Sequence, residues 1–242
     1  MPQHIVSAFD AELGGLRHAI AEMGGIAEKM LADATRALIR DDTVLAKSVI
    51  AADPRLDALQ REIEERGILT IARRQPLAAD LREIVAALRI AGDLERAGDL
   101  SKNTGKRVLA MSGRNHPKRV LAGVQHMSEL ALGQLKDVLD AYAASDTKSA
   151  VGVWERDGAI DALNNSLFRE LLTYMMEDPR SISFCAHLLF CAKNIERIGD
   201  HTTNIAETIY YLVKGEPLAG ERPKDDRSSF AVVEPPSGDI QT

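Results

Sequence analysis

Cysteine is scarce in this chain, with Cys185 and Cys191 the whole supply. They stand six residues apart in one helical stretch and face different sides, a poor placement for pairing, so a disulfide framework gives way to a reducing compartment. Long apolar runs are missing too. No stretch approaches the ~18 apolar residues of a membrane span. The opening Met-Pro-Gln-His-Ile-Val-Ser has neither the basic region nor the apolar core of an export signal. The expectation is a soluble, cytoplasmic protein with no direct membrane insertion. Basic excess is also lacking: 30 Lys and Arg face 36 Asp and Glu, a net charge of −6. That balance argues against nucleic acid as a main partner, which would want a basic face.

Catalytic signatures are absent as well. No acidic residue stands three positions before any of the six His, so the Glu-x-x-His pairs of ferritin-like di-iron bundles are missing. Gly105-Lys106 lacks the upstream Gly of a phosphate-binding loop. There is no Gly-x-Ser-x-Gly and no zinc-ligand spacing.

Proline is confined, and its confinement gives the organisation. Only Pro54, Pro76, Pro117 and Pro179 lie between residues 3 and 216. The stretches between them carry Leu, Ile, Val and Ala at three- and four-residue spacing, without alternating β-branched runs. Helices are predicted over 9–40, 43–72, 78–111, 118–144, 147–176 and 181–213, with a kink or short break at Pro54. The fold class is all-α, two tandem three-helix bundles over 1–114 and 115–214. Residues 215–242, rich in Pro and charge, are expected to be a disordered tail, dispensable for folding.

What the chain has in abundance is itself, twice. Asp93-Leu-Glu-Arg-Ala-Gly-Asp99-Leu-Ser-Lys-Asn103 recurs as Asn194-Ile-Glu-Arg-Ile-Gly-Asp200-His-Thr-Thr-Asn204. The segment from Asp42 to Leu59 aligns without a gap on Asp146 to Leu163, and Pro76 answers to Pro179. The offset drifts from 104 at Asp53/Asp157 to 101 at Glu95/Glu196, as small insertions near helix ends would produce. An internal duplication follows.

The repeated acids have a direction. At ~100° per residue, Glu95 and Asp99 fall within about 40° of Leu81, Ile84 and Leu88, with a second apolar face of Ile90, Leu94, Ala97 and Val108 opposite. Glu196 and Asp200 continue Ile182, Cys185 and Leu189 in the same way. Helices apolar on two sides must cover both, so self-association is expected, most simply as a homodimer. Half-buried carboxylates need a cation. Arg96 and Arg197 are poorly aimed at their own Glu-Asp pairs, which leaves an oxygen-liganded metal or an Arg from another helix. Asp53/Asp57 and Asp157/Asp161 repeat the i, i+4 acid spacing on the neighbouring helix, so each half offers up to four carboxylates, a set suited to Mg, Mn, Ca or Fe. A single such pair is usually a solvated face or half a salt bridge; its recurrence in register favours the metal reading. Asn103 and Asn204 are either outer partners of those ligands or caps of helix contacts. Gly98 and Gly199 are read as points of close helix approach, His201 as a local hydrogen-bonding residue, Trp154 as core or interface, and the two Cys as small buried hydrophobes.

These motifs, together with His4-Ile-Val-Ser-Ala-Phe-Asp10 and Arg74-Gln-Pro-Leu-Ala-Ala-Asp80, resemble the PhoU family, bacterial accessory proteins of the phosphate-specific transport system, over residues 4–215. The first copy departs from the family pattern at Ala97 and at Thr104-Gly105. The resemblance implies a regulatory adaptor that links the transporter ATPase PstB to the sensor kinase PhoR and represses the phosphate-starvation response. It also implies metal held by Glu95, Asp99, Asp53 and Asp57 in the first half and by Glu196, Asp200, Asp157 and Asp161 in the second. The ion would be Fe, Mn, Mg, Zn or Ca. An oxygen-liganded metalloenzyme of phosphatase type and a plain helical scaffold are the other function classes in play.

Overall fold

The computed structural model describes residues 2–113, 118–220 and 222. Seven α-helices run in order among the described residues: α1 (Pro2–Arg40), α2 (Thr43–Arg74), α3 (Ala79–Met111), α4 (Lys118–Ala144), α5 (Thr147–Glu155), α6 (Asp157–Glu177) and α7 (Ile182–Lys214). A single 3-10 turn at Pro179–Ser181 leads into α7. The duplication is visible in the turns. Asp42 caps α2 by accepting the Leu45 amide at 2.9 Å, and Asp146 caps α5 by accepting the Lys148 and Ser149 amides at 2.9 and 3.3 Å. Each cap follows a left-handed residue, Asp41 at φ 52 and Ser145 at φ 53. Each sends its own amide back to an alanine carbonyl, Asp42 to Ala37 at 3.0 Å and Asp146 to Ala141 at 2.9 Å. One turn has been made twice, closing the preceding helix while capping the next.

The two halves differ in their middle helix. A kink or break was expected at Pro54, and a continuous helix over 147–176; the structure reverses the two. α2 runs unbroken through Pro54. Pro54 is exposed, so the hydrogen bond it forfeits lies on the water side, while fully buried Leu56, Leu59 and Ile63 hold the helix onto its neighbours. In the second half the chain breaks at Arg156 (φ −91, ψ 2). Gly158 stands there in place of Pro54, and the released Arg156 carbonyl is taken up by the Ala159 amide at 3.1 Å and the buried Gln134 side chain at 3.0 Å. Its guanidinium folds back to the Gly152 carbonyl at 2.9 Å and to Asp137 at 2.6 Å. Asp157 therefore opens a helix, where the backbone dipole favours negative charge, whereas Asp53 sits in mid-helix.

α1–α3 form one three-helix unit and α4 with α5/α6 and α7 the other, and the two lie side by side through α1 against α4 and α3 against α7. Their apolar interiors are shared. One cluster joins Ile20, Leu59 and Ile90 of the first half to Leu135, Val153 and Ile209 of the second. The other joins Leu121, Ile160 and Leu188 to Leu38 and Val108. The second apolar faces of α3 and α7, from which self-association was expected, are thus covered within the chain: Ile90, Leu94, Ile205 and Ile209 are all buried. Among the described residues no helix is long and apolar enough to cross a membrane.

The turn around Pro117 and the tail from 223 onward lie outside the described residues. One described residue departs from the expected tail: Arg222 is packed, its side chain 18% exposed.

Candidate functional site

In the first half α2 and α3 come close because Gly98 lets them. A Cβ built there would stand 2.1 Å from Cδ2 of Leu56, itself fully buried. The approach puts Asp53 and Asp57 of α2 beside Glu95 and Asp99 of α3, on the face that the helical period assigns. Lys102, one turn on from Asp99, lays its ammonium between the helices: Nζ donates to Asp53 Oδ2 at 2.7 Å and also to Asp99. Burial works to lower the Lys102 pKa, but the hydrogen bonds and charges of Asp53 and Asp99 outweigh it and push it up to about 12. The cation is permanent at any physiological pH. Arg96 reaches its neighbours only loosely, 3.5 Å from Glu95 and 3.9 Å from Asp99. Asn103 is half-buried on the same helix.

Glu95 reports how crowded this cluster is. Burial raises its pKa first; Arg96 opposes, and the charges of Asp99, Asp57 and Asp53 raise it further. A carboxyl whose folded pKa lies above its unfolded value binds more protons folded than unfolded, so its contribution to stability falls as pH rises past the unfolded value. Glu95→Gln is accordingly expected to melt at a higher temperature than the parent at pH 7 in the presence of a chelator. The gain should shrink as pH is lowered through the ordinary carboxylate range. A parent that melts as high as the variant at pH 7 would show that Glu95 is not held among uncompensated charges.

The second half repeats the geometry with a different cation. Gly199 admits α6 to α7, with its built Cβ 2.8 Å from Ile160 Cδ1. Asp157, Asp161 and Glu196 are buried and Asp200 is half-buried. Thr203 stands where Lys102 does, and its hydroxyl donates to Asp157 Oδ1 at 2.8 Å. The positive charge comes from beyond α7. Arg222 grips Asp157 with both sides of its fork, Nε to Oδ2 at 2.7 Å and Nη2 to Oδ1 at 3.1 Å. It also donates to Asp200 Oδ1 at 2.7 Å, to the Asp200 carbonyl at 3.2 Å and to Asn204 Oδ1 at 3.2 Å. Lys193 lies 2.9 Å from Glu196. A planar guanidinium with its donors engaged on two carboxylates is the strong form of an ion pair.

Between the halves, α3 and α7 meet through polar groups that sequence reasoning had not linked. Asp93 Oδ1 takes His201 Nδ1 at 2.9 Å and Asn204 Nδ2 at 3.3 Å; Asn194, the counterpart of Asp93, donates to Thr104 at 3.3 Å. Asn204 thus serves both as a partner of the acidic site and as a fastener of the helix contact. Trp154 is half-buried against α7, its Nε1 donating to Glu207 at 3.0 Å. Both cysteines are buried, and burial pushes the Cys191 thiol up to about 12.

The paired acidic sites on a duplicated helical frame can be set beside known proteins. The PhoU domain matches this chain twice, over residues 20–108 and 124–209. The chain belongs to the PhoU family. Among PhoU relatives, a phosphate-specific transport system accessory protein PhoU homolog from Rhizobium meliloti is 60% identical over 226 residues, spanning 93% of this chain and 95% of the relative. One from Caulobacter vibrioides is 51% identical over 93% of this chain and 98% of its own length. The crystal structure of PhoU from Pseudomonas aeruginosa superposes with a TM-score of 0.83 at 38% identity, covering 86% of this chain and all of that one. The phosphate transport system regulatory protein PhoU from Streptococcus pneumoniae gives 0.80 at 27% identity, over 87% of this chain and 99% of its own.

For a PhoU chain the eight predicted acids are thus in place as two interhelical clusters, each already holding a protein cation. All the donors are carboxylate oxygens, with no thiolate or imidazole, which suits hard divalent and trivalent ions. As folded, the acids are arranged around ammonium and guanidinium groups, and among the described residues no three His, Cys, Asp or Glu converge closely enough to hold an ion. The second set fits a metal on condition that Arg222 withdraws; the first does so only if Lys102, anchored in the helix itself, is removed.

Proposed function

We propose that this chain is a non-enzymatic regulatory adaptor of phosphate uptake, acting in the cytoplasm. It binds the ATPase subunit of the phosphate-specific transporter, PstB, and the sensor kinase PhoR, and holds the phosphate-starvation response down when phosphate is plentiful. The observation that carries this reading is the match, over 93% of the chain, to relatives named accessory proteins of that transport system. The second acidic site, built from Asp157, Asp161, Glu196 and Asp200, is its metal-responsive element and tunes regulation without chemistry on a substrate. Asn103 and Asn204 flank the two sites on their helices. A homodimer would have to form through a surface other than the second apolar faces of α3 and α7, which are occupied inside the chain.

The test is genetic. Replacing Glu196 and Asp200 together with Ala should leave the helical content intact, since like charges are removed with the ligands. A reporter of phosphate-starvation genes should then be partly on in high phosphate. The Asn pair should behave alike, because the amide keeps the shape and loses the charge. Full repression by both variants would remove the site from the regulatory account, and hydrolysis of a phosphate ester by the metal-loaded parent, lost in the same variants, would replace the adaptor reading with an enzymatic one.

A further inference from the structure

The two acidic sites differ in how their cation is tethered. Lys102 belongs to α3, between the same helices as its partners, and cannot leave without unfolding α3. Arg222 is carried by a segment outside every helix. After α7 the chain reverses at Gly215, a left-handed residue with φ 78 whose amide closes on the Tyr211 carbonyl at 2.9 Å. Asp200 lies 14 residues before Lys214, about 21 Å back along a helix that rises ~1.5 Å per residue. Eight residues from Gly215 to Arg222 reach about 26 Å when extended at ~3.3 Å each, so the segment spans the return with little slack.

It touches α7 and its neighbours at three places. Pro217 and Leu218 wall an open groove of about 850 Å³ that also takes in Glu95, Asp93, His201 and Asn204. Gly220 lies over Trp154, where a built Cβ would be 3.5 Å from the ring carbon Cη2. Arg222 ends the run in the acidic site. Of the described residues from 215 to 220, all but Leu218 are exposed, so apolar burial contributes little to docking and the Arg222 fork supplies most of the grip.

We propose that Arg222 is an exchangeable cation: its guanidinium occupies the second acidic site in the absence of metal, and a divalent ion binding to Asp157, Asp161, Glu196 and Asp200 expels it and lifts the segment that carries it. This rests on the metal reading of that site given above. Lys102 keeps the first site closed, so only one of the two duplicated sites responds. The exchange turns an ion equilibrium into a surface change, because the same segment walls the groove between the halves and covers Trp154.

Trp154 is the only tryptophan in the chain, which makes the exchange readable in solution. The full-length parent and Arg222→Gln are titrated with Mn(II) while tryptophan emission and bound metal are followed. Metal-free Arg222→Gln should emit to the red of the metal-free parent, and the parent should move to the same position as Mn(II) binds. The variant should bind Mn(II) about tenfold more tightly, the factor that a competitor docked ~90% of the time imposes. Arg222→Lys, which keeps the charge and loses the fork, should fall between the two and covers the case of a poorly folded Gln variant. Identical emission from all three metal-free proteins would overturn the docking. Shifted emission with equal Mn(II) affinities would overturn the exchange and leave the metal reading standing; no Mn(II) binding to any of them would overturn both.

Discussion

Lys102→Thr, which gives the first site the residue that Thr203 provides in the second, is expected to lower stability by about 2–3 kcal/mol in the absence of metal. Asp53 is buried and Asp99 about one-third exposed, so taking away their shared cation strands one carboxylate in the protein and another at its edge. The full cost of an orphaned buried charge, about 3–5 kcal/mol, is moderated by the water that reaches Asp99. For a chain of this size that is a fall of about 5–10 °C in Tm. The same change should create something. With Lys102 gone, Asp53, Asp57, Glu95 and Asp99 lack a resident cation, so Mn(II) should raise the variant's Tm well beyond any effect on the parent. A variant that melts with the parent, or is deaf to Mn(II), would show that Lys102 is not what fills the first site. Thermal unfolding by circular dichroism, with chelator and with Mn(II), reads both.

Gly98→Ala should cost about 1–2 kcal/mol even though alanine is the better helix former. The new methyl would meet Leu56 Cδ2 at 2.1 Å. Leu56 has no exposed surface into which to swing, so the helices must part, and with them the acids on either side. Gly92 in the same helix has nothing within 4 Å of a built Cβ. Gly92→Ala should therefore gain about 0.5–1 kcal/mol from helix propensity alone. Opposite signs for the two substitutions in urea unfolding are the expected result. Equal gains would mean that α2 and α3 are not in close approach at Gly98.

Much of this could be read in the sequence, for physical reasons. The helices declared themselves because long stretches keep one period and turns carry capping aspartates, so α1–α4 and α7 fall close to their expected bounds. The acids fell where the helical wheel placed them, since a wheel needs only local geometry. Gly98 and Gly199 were legible as a pair because duplication doubles the signal. What failed was what depends on distant partners. The continuity of α2 at Pro54 is decided by burial of Leu56, Leu59 and Ile63, and the break at Arg156 by the Gln134 amide waiting on α4. The second apolar faces were recognised, but which surface would cover them is a matter of tertiary packing, and the other half of the chain does so. Lys102 against Thr203 was in plain view within the repeated motif; its meaning appears only when Asp53 is brought across from α2. Arg222 had no signal of its own, lying in a stretch whose proline and charge content argues for solvated chain.

The claim on which the account turns is that the second acidic site exchanges a protein cation for a metal ion. Its most direct test is the metal content of the full-length protein, prepared without chelators, equilibrated with millimolar Mn(II) and cleared of free ion, alongside the Glu196→Ala/Asp200→Ala protein treated in the same way. The account predicts bound manganese in the parent and its loss in the double variant, with the helical content of both unchanged. Equal manganese in the two proteins, or none in either, would contradict it.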